Sequence, residues 1–213
     1  NPASPNAKHS LGQAKALRAY GYFYLSQLYQ KEYNGSEAIL PLYSDPFDPV
    51  LPQSPMSEVY DLMISDLNSA ISLLNGFNRT AKSAVNQDVA KALLAYVYAA
   101  KGDSASNLLA KGLAEQVISS GYPLMTNSEV VGGFNDVSTP GWIWGFDVTL
   151  ANGLDLISWW GQMDVFTYSY QWAGDKKGID DGLYAKIKAN DIRKVQFDTS
   201  NDLQPRNKFY NGA

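Results

Sequence analysis

The chain has 213 residues, 45% of them apolar and 18% charged, which is the composition of a folded globular protein with a real core. Its formal charge of −4 and pI near 4.9, with no cluster of Lys and Arg, argue against nucleic acid as a partner. The absence of Cys excludes disulfides, a thiolate nucleophile and any Cys-based zinc site, and no apolar run is long enough to span a bilayer as a helix.

The first ten residues, NPASPNAKHS, are polar and contain two Pro, so they read as a linker or arm. A first helix is predicted over Leu11 to Tyr29, with Leu11, Ala14, Leu17, Gly21, Leu25 and Leu28 on one stripe. Its small residues Ala14, Ala16, Ala19 and Gly21 would let a second helix approach closely. A loop with Pro41, Pro46, Pro49 and Pro52 follows and reads as an ordered, irregular crossing. A second helix is expected from Met56 to Asn75, capped by Ser54 with Pro55 as its first residue. Val59, Leu62, Met63, Leu67, Ala70 and Leu74 form its apolar stripe, and Gly76 ends it.

A third helix spans Gln87 to Lys101, with Val89, Ala92, Leu93, Tyr96, Val97 and Ala100 on one face and Gly102 as its stop. A fourth begins at Asp103 or Ser104, carries Ala110, Leu113, Ala114, Val117 and Ile118, and stops at Gly121. With their tight turn, these two cover about 33 residues, close to the ~34-residue tetratricopeptide unit of two antiparallel helices. Each such pair leaves an apolar face for a stacked neighbour to cover.

Past Gly121 the composition turns to Gly, Asn and aromatics. GWIWGFDVT alternates like a short strand, with Trp142, Trp144 and Phe146 on one side, Trp142 and Trp144 reading as core. The segment SWWGQMDVFTYSYQWAGD, from Ser158 to Asp175, holds three of the chain's five Trp. Phe166, Tyr168, Tyr170 and Trp172 share one side of an extended chain, whereas in a helix they would scatter. A short helix is expected at DDGLYAKIKAND. The fold class is therefore mainly α. Tetratricopeptide-like helices over 11–120 would carry an irregular, aromatic-rich segment with short strands over 121–213, the two forming one domain across 1–213.

Six blocks carry a family resemblance. AKALRAYGYFYLSQLYQKEY, SEVYDLMISDLNSAISLL, NRTAKSAVNQDVAKALLAYVYAAKGD, AEQVISSGYPL, GWIWGFDV and NDIRKVQF occur in the order found in SusD/RagB-like proteins, which the chain resembles. The resemblance implies a central fragment of a longer outer-membrane lipoprotein at the cell surface. Such a protein would hold to the membrane only through a lipid anchor outside this chain. It would capture a nutrient, most often a glycan, for a TonB-dependent transporter, with no catalysis and no cofactor. Capture of a peptide, or a helical-repeat scaffold with no small-molecule site, are the alternatives.

Composition and period, not the resemblance, pick the candidate substrate-binding residues. Glycan sites set flat rings against the apolar C–H faces of sugars and polar groups against the hydroxyls. Trp159, Trp160, Tyr168, Tyr170 and Trp172 supply rings, and Gln162, Asp164 and Gln171 supply polar partners. The plainer alternative packs these rings against the helices. Catalysis has thin support: the one His, His9, lies in the expected arm, which leaves no catalytic triad or His-based metal site. Asp175, Asp180 and Asp181 could pair as glycosidase carboxylates or hold Ca²⁺. Their spacing is not that of an EF-hand loop, and a solvated turn with a helix cap explains them.

Overall fold

A computed structural model of the chain describes residues 4–45, 47–133, 136–146 and 173–205. It is mainly helical, and the chain divides into two compact units, Asn1–Tyr122 and Pro123–Ala213.

The first unit holds four helices: α1 (Pro5–Tyr29), α2 (Met56–Leu73), α3 (Gln87–Lys101) and α4 (Ser104–Ser119). Each packs on the next in chain order. Two short antiparallel strands, β1 (Ala38–Leu40) and β2 (Ser54–Pro55), pair across the Pro-rich loop, with Ala38 opposite Pro55 and Leu40 opposite Ser54.

The expected arm is helical from Pro5, six residues before the predicted start. Ser4 caps α1 by accepting from the Ala7 amide at 3.2 Å, and Pro5 supplies a preset φ where no amide donor is needed. A Ser-Pro start was present in the sequence, masked by the polar residues after it. His9 accordingly belongs to α1 and packs its ring on Phe77, with centroids 4.9 Å apart.

The leucines of the predicted α1 stripe lie on its open side. Leu11, Leu17, Leu25 and Leu28 all face outward, Leu28 with 79% of its surface open. The buried face is Gly12, Ala16, Ala19 and Ser26. These small residues bring α1 close to α2: a Cβ built on Gly12 would stand 2.9 Å from Leu74 Cγ and 3.1 Å from Leu73 Cβ. Close approach is therefore right in kind, but Gly12 makes it, whereas Gly21 meets nothing within 4 Å.

On α2 the predicted stripe holds except at Leu62, which is only half-buried. Val59, Met63, Leu67, Ala70 and Leu74 are fully buried, and Tyr60 and Asp66 join them. Ser54 does not cap α2, because it is held in β2. Backbone carbonyls do the work instead: Met56 N donates to Glu37 O at 2.7 Å and Ser57 N to Gly35 O at 3.0 Å. That satisfies donors a helix start would otherwise leave open.

Asp66, at 1% side-chain exposure, is tied to α1 by two cations. Its Oδ1 accepts from Lys15 Nζ at 2.7 Å and its Oδ2 from Arg18 Nε at 2.6 Å. Burial works against the charged carboxylate, but the bonds from Arg18 and Lys15 outweigh it and hold Asp66 below the ordinary Asp range.

Helix α3 has the predicted bounds, capped by Asn86 and ended by Gly102 at φ +79°. The start of α4 resolves to Asp103 as cap, accepting from Ser106 N at 2.9 Å. Only Ser106 and Val117 of α4 are buried, so α4 is the peripheral helix of this unit.

The second unit contains α5 (Asn127–Val131), α6 (Asp181–Lys186) and a 3₁₀ turn, η1 (Ile192–Gln196). A capping box opens α5: Thr126 N donates to Glu129 Oε2 at 2.7 Å, and Glu129 N returns to Thr126 Oγ1 at 3.4 Å. Buried Gln196 donates to Val130 O at 2.9 Å and so ties η1 to α5.

Candidate functional site

All eight predicted binding residues, Trp159, Trp160, Gln162, Asp164, Tyr168, Tyr170, Gln171 and Trp172, lie outside the described residues. The structure does describe the aromatic turn that leads into that segment. It also describes a second cluster of rings in the first unit.

The turn spans 136–146, and no strand is found in its described residues, contrary to expectation. Gly141 takes φ +90°, open to glycine and strained for other residues, and Trp142 N bonds back to Thr139 O at 3.3 Å. The bend cancels the alternation of an extended chain. Trp142 then folds over Gly145: a Cβ there would sit 2.8 Å from the indole. Trp142 and Trp144, expected as core, are only half-buried. Trp144 meets Phe146 edge-on, centroids 5.0 Å apart at 69°, and Phe146 is 57% exposed. This pair presents an apolar surface to solvent immediately before residue 147.

The ring cluster of the first unit went unread in the sequence. Tyr20, Phe23 and Tyr24 stand on one side of α1, and Phe23 stacks on Tyr96 of α3 with centroids 6.2 Å apart at 23°. Tyr24 and Tyr96 are more than half exposed. Burial, with Tyr24 alongside, raises the Tyr20 phenol above its ordinary pKa. The i, i+3, i+4 spacing in AYGYFY was the available signal.

The acidic cluster is structural in part. Asp180 caps α6, accepting from Leu183 N at 2.9 Å, and Asp175 pairs with Lys177. Among the described residues no group of three His, Cys, Asp or Glu is placed to hold a metal ion. No helix among them is long and apolar enough to cross a membrane.

No protein-family model matches the chain, and no curated protein matches it. Solved structures do. A SusD-like carbohydrate binding protein from Bacteroides vulgatus ATCC 8482 superposes with a TM-score of 0.79 and 24% identity, over 100% of this chain and 47% of that one. A SusD superfamily protein from Bacteroides fragilis NCTC 9343 gives a TM-score of 0.62 at 16% identity, over 99% of this chain and 51% of that one. A crystal structure with xylogluco-oligosaccharide gives 0.58 at 22% identity, over 80% of this chain and 35% of that one.

These matches define a class first: a mainly helical scaffold shared with proteins described as carbohydrate binding. The fold is the SusD-like fold. The chain spans about half the length of the Bacteroides vulgatus and Bacteroides fragilis structures.

Proposed function

We propose that the chain forms part of a cell-surface protein that captures an oligosaccharide, without catalysis, for delivery to a TonB-dependent outer-membrane transporter. One observation carries the reading: the whole chain shares its fold with a structure described as a SusD-like carbohydrate binding protein. The relative with xylogluco-oligosaccharide supports the same ligand class. The half-open rings Trp144 and Phe146 lead into the segment with Trp159, Trp160, Tyr168, Tyr170 and Trp172, and fit a site built on ring faces. Gln162, Asp164 and Gln171 would hold the hydroxyls. Two or three rings, each covering roughly 100 Å² of sugar at ~25 cal/mol/Å² and offset by ordering the ligand, give roughly millimolar to high-micromolar affinity. Such affinity suits a protein that hands its ligand on.

The test is affinity electrophoresis through gels containing a panel of neutral and acidic polysaccharides, xyloglucan included. Retardation by at least one, with no release of reducing ends from it, is expected. A response only to oligopeptides in calorimetry would replace glycan with peptide, and reducing-end release would overturn the non-catalytic reading.

A further inference from the structure

An open cavity of about 580 Å³ lies within the second unit, inside the ~300–1,000 Å³ range of small-molecule sites. Tyr184 of α6 and Phe197, just past η1, meet edge-on across it, with centroids 6.1 Å apart at 82°. Lys194 Nζ sits 4.6 Å over the Tyr184 ring and donates to Ile187 O at 2.9 Å.

The two charged residues that line this cavity, Asp191 and Lys194, differ in their pairing. Asp191 also lines it, but its carboxylate is occupied: Oδ1 accepts from Arg193 Nε at 2.9 Å and Oδ2 from Arg193 Nη2 at 2.6 Å. The Arg193 side chain, helped by its backbone amide, holds Asp191 down to about 2. Lys194 has neutral partners, a ring and a carbonyl, and makes no ion pair among the described residues. Among the described residues the cavity thus offers one ammonium outside any ion pair, beside an apolar wall of Ile192, Val195 and Phe197, with Asn190 and Thr199 as neutral polar groups.

We propose that this cavity binds a sugar unit bearing a carboxylate, such as a uronic acid residue of a glycan. The carboxylate meets Lys194, the apolar ring face lies on Phe197 and its neighbours, and hydroxyls meet Asn190 and Thr199. The choice of a sugar over another anion rests on the glycan-capture reading; the preference for an anion rests on the cavity alone.

The test is an NMR titration of the ¹⁵N-labelled 213-residue chain with glucuronate, glucose and acetate. Glucuronate should shift amides between 184 and 199 and bind at least about tenfold more tightly than glucose or acetate. Its binding should weaken as salt rises, whereas glucose binding should not. Lys194→Gln keeps a donor for the Ile187 carbonyl and loses the charge, so it should reduce glucuronate to the level of glucose. Val195→Asp, at an exposed position on the rim, should weaken glucuronate without disturbing the fold. Equal affinity for the three ligands, shifts mapping elsewhere, or indifference to both substitutions would overturn the proposal. Polysaccharide retardation with glucuronate inert would remove this cavity and leave glycan capture standing. Glucuronate binding here without any retardation would do the reverse.

Discussion

Two glycines nine residues apart on α1 should respond to the same substitution with opposite signs. Both sit inside the helix, where Gly→Ala stabilises by about 0.5–1 kcal/mol through backbone entropy. At Gly21 an added methyl meets nothing within 4 Å, so Gly21→Ala should keep that whole gain. At Gly12 the methyl would lie 2.9 Å from Leu74 Cγ and 3.1 Å from Leu73 Cβ. Leu74 is fully buried, so its side chain has no open space to move into. Overpacking of this kind costs about 1–3 kcal/mol, which cancels the gain and leaves a net loss of up to about 2.5 kcal/mol. Urea unfolding followed by far-ultraviolet circular dichroism reads both. The midpoint should rise for Gly21→Ala and fall for Gly12→Ala, at unchanged m-value. Equal shifts in one direction would refute the assignment of the packed face. A loss at Gly21 with a gain at Gly12 would place the Leu stripe inward after all.

The buried carboxylate should govern acid stability. Asp66→Asn leaves Lys15 and Arg18 unpaired; because both reach solvent, the loss should be about 2–3 kcal/mol, below the ~3–5 kcal/mol of a fully enclosed pair. Since the folded-state pKa of Asp66 is depressed, its contribution is present above the unfolded value near 3.8 and fades as pH falls through the lower folded one. A pH series of urea midpoints should thus fall below about pH 4 in the native sequence and more shallowly in Asp66→Asn; parallel curves would contradict this. On the open stripe, Leu17→Lys and Leu28→Lys should each change stability by less than about 0.5 kcal/mol and lower the binding of an apolar fluorescent dye. A loss well above that would show these side chains to be packed.

Periodicity read the helices well where one face is strongly apolar. The α2 stripe and the bounds of α3 came from spacing and caps alone. On α1 it found the helix but did not mark the contact face, because that helix uses small residues for contact and leaves larger ones outside. Hydrophobicity ranks Leu17 above Ala16, whereas close helix packing ranks them in reverse. The cap of α2 was also beyond local reading. Its open amides are filled by Gly35 and Glu37 from the loop that returns beside it, and Ser54 is drawn into a strand. In the late segment, alternation predicted a strand over 141–149, and in its described part, 141–146, one glycine with positive φ gives a bend instead. Arg193 in NDIRKVQF belongs to a family pattern in the sequence; its physical role, clamping Asp191 at the start of η1, is visible only in three dimensions.

The central proposal is that rings late in the chain meet sugar. Affinity electrophoresis of Trp172→Ala and Tyr170→Ala, on whichever polysaccharide retards the native chain, tests it most directly, with thermal unfolding measured alongside. Loss of a ring covering about 40–100 Å² should weaken binding by about 1–2.5 kcal/mol, roughly 5- to 70-fold, with the unfolding midpoint unchanged. Unchanged retardation together with a lowered midpoint would show these rings to be core and would contradict the account.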